Sequence, residues 1–214
     1  MSQHKVIIAV ITTGERQISK KVFEASSYPV EIFVDEERKG DVYMRNKILA
    51  KYKDYDHIFT FDDDCYPERK GWEDYFITQA KLHNVHYMGV PAALEDLKLI
   101  AIDNEMTWWE GAISAFQYFS KHGLETIGGY NTKYNYYGYA DIAMGQRAAR
   151  AGITGKFRGS AFPLRGLMYI HSMDICHDNP KPVISDDVKK RCIAENHAIF
   201  LEEMSSEQLH YPYE

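Results

Sequence analysis

Three consecutive carboxylates, Asp62, Asp63 and Asp64, follow the apolar run His57-Ile-Phe-Thr-Phe61 and precede Cys65-Tyr-Pro67. Adjacent acidic side chains repel one another unless a cation or a donor-rich ligand compensates them, so the triplet suits a hard divalent ion that also holds phosphate. Such an ion would bridge two phosphates and neutralise the charge that builds on a departing nucleoside diphosphate. An Asp-x-Asp alone also fits a solvated acidic loop. Two further side chains extend the set: Asp141, which opens a helical stretch, and His171, at the end of the apolar stretch Leu167-Met-Tyr-Ile-His171. On its own His171 also reads as a core histidine. His171, Cys176, His177 and Cys192 offer an alternative zinc set, but their spacing is irregular.

These groups need a scaffold, and the sequence describes one. Lys5 to Thr13 is a continuous apolar run that stops at Thr-Thr-Gly, the pattern of a central strand buried on both faces. A helix over Gln17 to Ser27, a strand over Val30 to Val34 and a helix over Tyr43 to Tyr55 precede the strand that ends in the triplet. This alternation predicts an α/β fold with parallel strands and a ligand site along their carboxyl edge. Further on, helical spacing runs from Gly71 to His83, and His86 to Val90 reads as a short strand. Trp108 to Phe116 reads as one strand, with a glycine where something approaches the backbone, and Gln117 to His122 as helix. Gly128-Gly129 breaks the pattern before a loop with five tyrosines between Tyr130 and Tyr139. A helix from Asp141 to Ala151, a strand over Leu167 to His171, a helix over Ser185 to Glu202 and a loose tail complete the chain.

At 214 residues one core is the expectation. The net charge of −6 and the pI near 5.9 supply no global basic field for nucleic acid or anionic lipid. No apolar run reaches membrane-spanning length, and the start Met1-Ser-Gln-His-Lys enters a strand at once, so no membrane and a cytoplasmic location are expected. Three scattered cysteines argue for free thiols in a reducing compartment.

The order of motifs resembles the GT-A glycosyltransferases, in particular the β-1,4-galactosyltransferases, and more loosely the inverting family of the chitin, cellulose and hyaluronan synthases. The stretches Met44-Arg-Asn-Lys-Ile-Leu-Ala50, Lys53-Asp-Tyr-Asp56 and Phe61-Asp-Asp-Asp-Cys-Tyr-Pro67 are similar to that family's motifs in order and spacing. So are Glu110-Gly-Ala-Ile-Ser-Ala-Phe116, Ile127-Gly-Gly-Tyr130 through to Arg147, and Met168-Tyr-Ile-His-Ser172. The resemblance implies a single GT-A, Rossmann-like domain with a mostly parallel central sheet flanked by helices. Its nucleotide-sugar half would span about 1–67, its acceptor and metal-completing half about 68–182, and its C-terminal helix and tail 183–214.

The same resemblance implies roles. Asp64 and His171 would bind Mn²⁺ or Mg²⁺, with Met168 as a soft third ligand that favours Mn²⁺. Asp62 and Asp63 would lie nearest the ribose and diphosphate of a UDP-sugar. Thr12, Thr13, Arg16, Tyr43 and Arg45 would hold uridine and phosphates, and Asp35 the nucleobase or ribose. Asp141 would be the base of an inverting transfer, and residues from Ser172 to Pro182 a lid over the donor. Trp109, Gly111, Tyr137 and Tyr139 would contact sugar or acceptor. Where the family has Glu-Asp-Asp-Asp this chain has Ala140-Asp141-Ile142-Ala143, and a family tryptophan becomes Tyr137. The acceptor therefore stays open among a glycan, a small molecule and a modified DNA base, the last suiting a phage protein in the host cytoplasm. Two other classes remain. A nucleotidyltransferase would normally show a better phosphate loop than Thr12-Thr-Gly-Glu-Arg16, and a non-catalytic nucleotide- or glycan-binding module would not need Asp141.

Overall fold

The computed structural model describes residues 4–91, 98–172 and 185–213. Its centre is strand β1 (Val6–Thr12), every residue of which is buried. Alternation along this strand sends Val6, Ile8 and Val10 to one face of the sheet and Ile7, Ala9 and Ile11 to the other. After a four-residue helix α1 (Lys21–Glu24), strand β2 (Val30–Val34) pairs parallel to β1. Helix α2 (Asp41–Tyr52) leads to β3 (His57–Asp62), which pairs parallel to β1 on its other side. Then come a short strand β4 (Cys65–Pro67), helix α3 (Trp72–His83), and strands β5 (Tyr87–Val90), β6 (Leu99–Asp103), β7 (Met106–Trp109) and β8 (Ile113–Ser120). Helices α4 (Lys121–Ile127) and α5 (Ala140–Arg150), strand β9 (Ser160–Pro163), a 3₁₀ turn (Gly166–Met168), strand β10 (Ile170–Ser172) and helix α6 (Asp186–Ser205) follow.

The central sheet has eight strands in the order β2-β1-β3-β8-β5-β9-β7-β6. The pairings run β1, β2, β3, β5, β9 and β6 in one direction, and β8 and β7 in the other. The α/β expectation therefore holds, with a sheet that is mixed because β8 enters antiparallel between β3 and β5. Aromatic packing fills the face under α3: Phe59, Phe61, Trp72, Phe76 and Phe116 meet at ring separations such as 4.8 Å for Phe59 and Trp72. On the opposite face α2, α4 and α5 bury Ile48, Leu49, Leu124, Met144 and Ala148.

Several expected elements differ. The helix expected over Gln17 to Ser27 is a single turn, which leaves Thr13 to Ser19 as an irregular loop over the carboxyl end of β1. The strand expected over Trp108 to Phe116 is two strands interrupted at Glu110 to Ala112, and Gln117 to Ser120 extends the second strand instead of forming helix. Leu167 to His171 divides into the 3₁₀ turn and β10, which leaves the central sheet to pair with β4. The tail is docked: Gly129 N–H donates to the Tyr211 carbonyl at 2.8 Å, and the Arg147 guanidinium stacks on the Tyr211 ring at 4.6 Å.

Candidate active site

The acidic triplet sits at the carboxyl end of β3, beside the carboxyl end of β1. Its geometry follows from strand alternation. Thr60 and Asp62 face α2, and the register pair Thr60 with Gln117 of β8 puts a third polar group on that face. Arg45 fills the space between them with no exposed surface. Its Nε donates to Asp41 at 2.8 Å and its Nη1 to Thr60 at 3.0 Å and Gln117 at 3.3 Å, while Nη2 donates to Asp62. Burial works against the Arg45 charge, but Asp41 and Asp62 more than offset it and hold the guanidinium above the ordinary arginine range. Arg45 was expected to bind donor phosphate. Fully enclosed and committed to these four partners, it instead fixes Asp62 from behind.

Asp63 and Asp64 turn the other way, toward the loop after β1. Thr12 Oγ1 donates to Asp63 at 2.7 Å, and Nη1 of Arg16 reaches both Asp63, at 3.3 Å, and Asp64. The two carboxylates thus converge on one point of positive charge. Burial and the neighbouring Asp41, Asp63 and Asp64 push the Asp62 carboxyl well above the usual carboxylate range, with Arg45 acting in the opposite direction.

His171 reaches this region through the β4–β10 ribbon, whose register pairs Cys65 with Ser172 and Tyr66 with His171. Its ring stacks on Tyr66 at 4.6 Å, and Nδ1 lies 3.6 Å from Glu68. Met168 is exposed in the 3₁₀ turn. Among the described residues no three His, Cys, Asp or Glu side chains form a ready metal cluster. The residues Ser172 to Pro182, expected as a lid, lie outside the described residues apart from Ser172, as do Cys176 and His177.

Asp141 begins α5 on the face that carries Arg45. Its Oδ2 accepts from the Ser114 N–H at 3.3 Å and its Oδ1 from the Ile142 N–H at 2.9 Å. Burial raises its pKa, with Asp41 adding to the shift and Arg45 opposing it. A buried chain leads away from Arg45: Arg45 and the Tyr130 hydroxyl both donate to Gln117 Oε1, whose amide donates to the Tyr87 hydroxyl at 3.0 Å. Burial raises the Tyr87 pKa, and the charge of Asp141 raises it further. Nothing in the motif reading pointed to Thr60, Gln117 or Tyr87. The available signals were polar residues inside apolar strands and the i, i+4 spacing of Asp41 and Arg45.

The remaining expected residues are spread around this centre. Thr13 follows Thr12 with a buried hydroxyl that has no hydrogen-bond partner among the described residues. Asp35 accepts from the Lys39 and Gly40 amides at 2.9 and 2.8 Å and so shapes the loop after β2. Tyr43 is exposed on α2 under the Lys39 ammonium. Trp109 ends β7, its indole donating to Thr107 at 2.9 Å, and Gly111 is buried in the following segment, where Gln146 of α5 donates to the Glu110 carbonyl. Tyr137 is exposed near Lys189. Tyr139 caps α5 at a positive φ of 66° and packs its ring on His197 and Phe200 of α6.

No family profile and no curated protein matches this chain. Solved structures do. The central mixed sheet with flanking helices is the fold of the GT-A-type glycosyltransferases. One is a mannosyltransferase from Pyrobaculum calidifontis solved with GDP-mannose and Mn²⁺, at 13% identity and a TM-score of 0.51, covering 72% of this chain and 55% of that one. Another is GalNAc-T7 solved with UDP, GalNAc and Mn²⁺, at 10% identity and a TM-score of 0.53, covering 77% and 45%. The chain thus spans about half the length of these two structures. Among the described residues, no helix is long and apolar enough to cross a membrane.

Proposed function

We propose that the protein is an inverting glycosyltransferase that moves a sugar from a nucleoside-diphosphate sugar, a UDP-sugar by its motifs, to an acceptor hydroxyl. The observation that carries this reading is Asp141, a carboxylate at the start of α5 that accepts from the Ser114 amide of β8, the strand paired with the one that ends in Asp62, and whose pKa is raised by burial. Its raised pKa brings a carboxylate base nearer to neutral pH, where it accepts the proton of the acceptor hydroxyl as that oxygen attacks the anomeric carbon. The Ser114 and Ile142 amides keep the carboxylate aimed. Arg45 keeps Asp62 in place for the ribose or diphosphate, and the glycosidic electron pair leaves with the nucleoside diphosphate on the opposite face.

The residues present fit a divalent metal, because one cationic atom of Arg16 already engages Asp63 and Asp64 together. Asp63 and Asp64 would hold Mn²⁺ or Mg²⁺, with His171 brought near by the β4–β10 pairing. When bound, the ion supplies charge neutralisation for the departing diphosphate. Incubation with a panel of UDP-sugars and Mn²⁺ should release UDP from at least one of them. Pyrophosphate release from UTP and a sugar phosphate would make the protein a nucleotidyltransferase instead, and UDP binding with no turnover of any donor would favour a binding module.

A further inference from the structure

We infer that Arg16 is an exchangeable counter-ion: a divalent cation displaces its guanidinium from Asp63 and Asp64, and the freed guanidinium then pairs with the donor diphosphate. This rests on the donor-site reading above. The two arginines at the triplet differ in kind. Arg45 is enclosed, sits on a helix and has no exposed side-chain surface, whereas the Arg16 side chain is 24% exposed. Arg16 lies in the irregular stretch from Thr13 to Ser19, just after Gly14 at a φ of 79°, where the backbone carries no strand or helix pairing that would fix it.

Electrostatics gives the exchange its direction. Asp63 and Asp64 carry two negative charges between them against the single charge of the Arg16 guanidinium, and a doubly charged ion would match the two carboxylates. The ion and Arg16 cannot both contact the same oxygens, because like charges repel at that distance. Asp63 stays oriented after Arg16 leaves, since Thr12 Oγ1 holds it at 2.7 Å. The planar guanidinium then finds its next partner in the diphosphate, whose oxygens it engages through paired hydrogen bonds.

The test compares the wild-type protein with Arg16→Gln, Arg16→Lys and Asp64→Asn. Free Mn²⁺ is followed by electron paramagnetic resonance in the absence of nucleotide, and UDP affinity is measured by calorimetry at saturating Mn²⁺. Arg16→Gln should bind Mn²⁺ roughly tenfold more tightly or better, while its UDP affinity falls by roughly tenfold or more. Arg16→Lys, which keeps the charge, should remain close to wild type for Mn²⁺. A loop disturbed for structural reasons would weaken both ligands together. If Asp64→Asn loses Mn²⁺ but Arg16→Gln binds it no more tightly than wild type, the exchange is wrong and the donor site stands. If Asp64→Asn keeps wild-type Mn²⁺ affinity, the donor-site reading fails and this inference with it.

Discussion

Replacing Arg45 with methionine separates a buried positioning residue from a phosphate ligand. The side chain is fully enclosed, and its loss strips partners from Asp41, Asp62, Thr60 and Gln117 at once. Methionine fills much of the volume, so the main penalty is electrostatic: an Asp62 carboxylate in the same pocket without its counter-ion. Breaking a fully buried pair from one side costs about 3–5 kcal/mol, and because the Asp62 side chain is 32% exposed the cost here sits at or below the lower end, about 2–3 kcal/mol. For a chain of this size that corresponds to a fall in Tm of roughly 4–12 °C. The deficit should narrow between pH 7 and pH 5, because the Asp62 carboxyl already sits well above the usual range and rises further once Arg45 is gone. Protonation then removes the stray charge. Thermal unfolding followed by circular dichroism at the two pH values, with UDP titration alongside, reads all of this. A variant that melts within about 2 °C of wild type yet binds UDP tenfold more weakly would show that Arg45 faces the ligand, and would refute the buried arrangement.

Three other outcomes follow. His57 is buried and its pKa is pushed down to about 4, chiefly by burial, with His4 and Lys81 adding to it. The unfolded chain takes up a proton near pH 6.5 and the folded one only near 4, so stability present above pH 6.5 is lost by roughly 3 kcal/mol on the way down. His57→Gln should flatten the acid limb of Tm against pH, and parallel curves for the two proteins would contradict this. At Gly128, φ is +65° and a Cβ would lie 1.9 Å from the Tyr211 carbonyl. Gly128→Ala should therefore undock the tail and lower hydrogen-exchange protection at the Gly129 amide, and unchanged protection would return the tail to a loose segment. For Asp141, whose carboxyl lies above the ordinary aspartate range, transfer should decline on acidification through a pKa higher than an exposed aspartate's. A rate flat down to pH 4 would remove Asp141 as the base.

What was legible in the sequence was mostly local. The apolar run of β1, the strand ending in Asp62 and the helix opening at Asp141 each declare themselves within a few residues, and all three are where their patterns put them. Misreadings occurred where distant partners decide. Gln117 looks too polar for a buried strand until Arg45, Tyr87 and Tyr130 surround it. Arg45 resembles a phosphate ligand beside a strand end, but Thr60 and Gln117, 15 and 72 residues away, close over it. The break at Glu110 to Ala112 depends on α5, whose Gln146 donates to the Glu110 carbonyl. Strands β4 and β9 are three and four residues long and contain proline, too short for a period to show.

The central claim concerns the stereochemistry of transfer, and water suffices as the acceptor. Proton NMR of the sugar first released from an α-linked UDP-sugar, recorded before mutarotation, should show the β anomer with the wild-type protein. The same release should be slowed by about 10²–10⁴-fold in Asp141→Asn, at unchanged UDP-sugar affinity. An α anomer formed first, or an Asp141→Asn protein that turns over at the wild-type rate, would contradict the account.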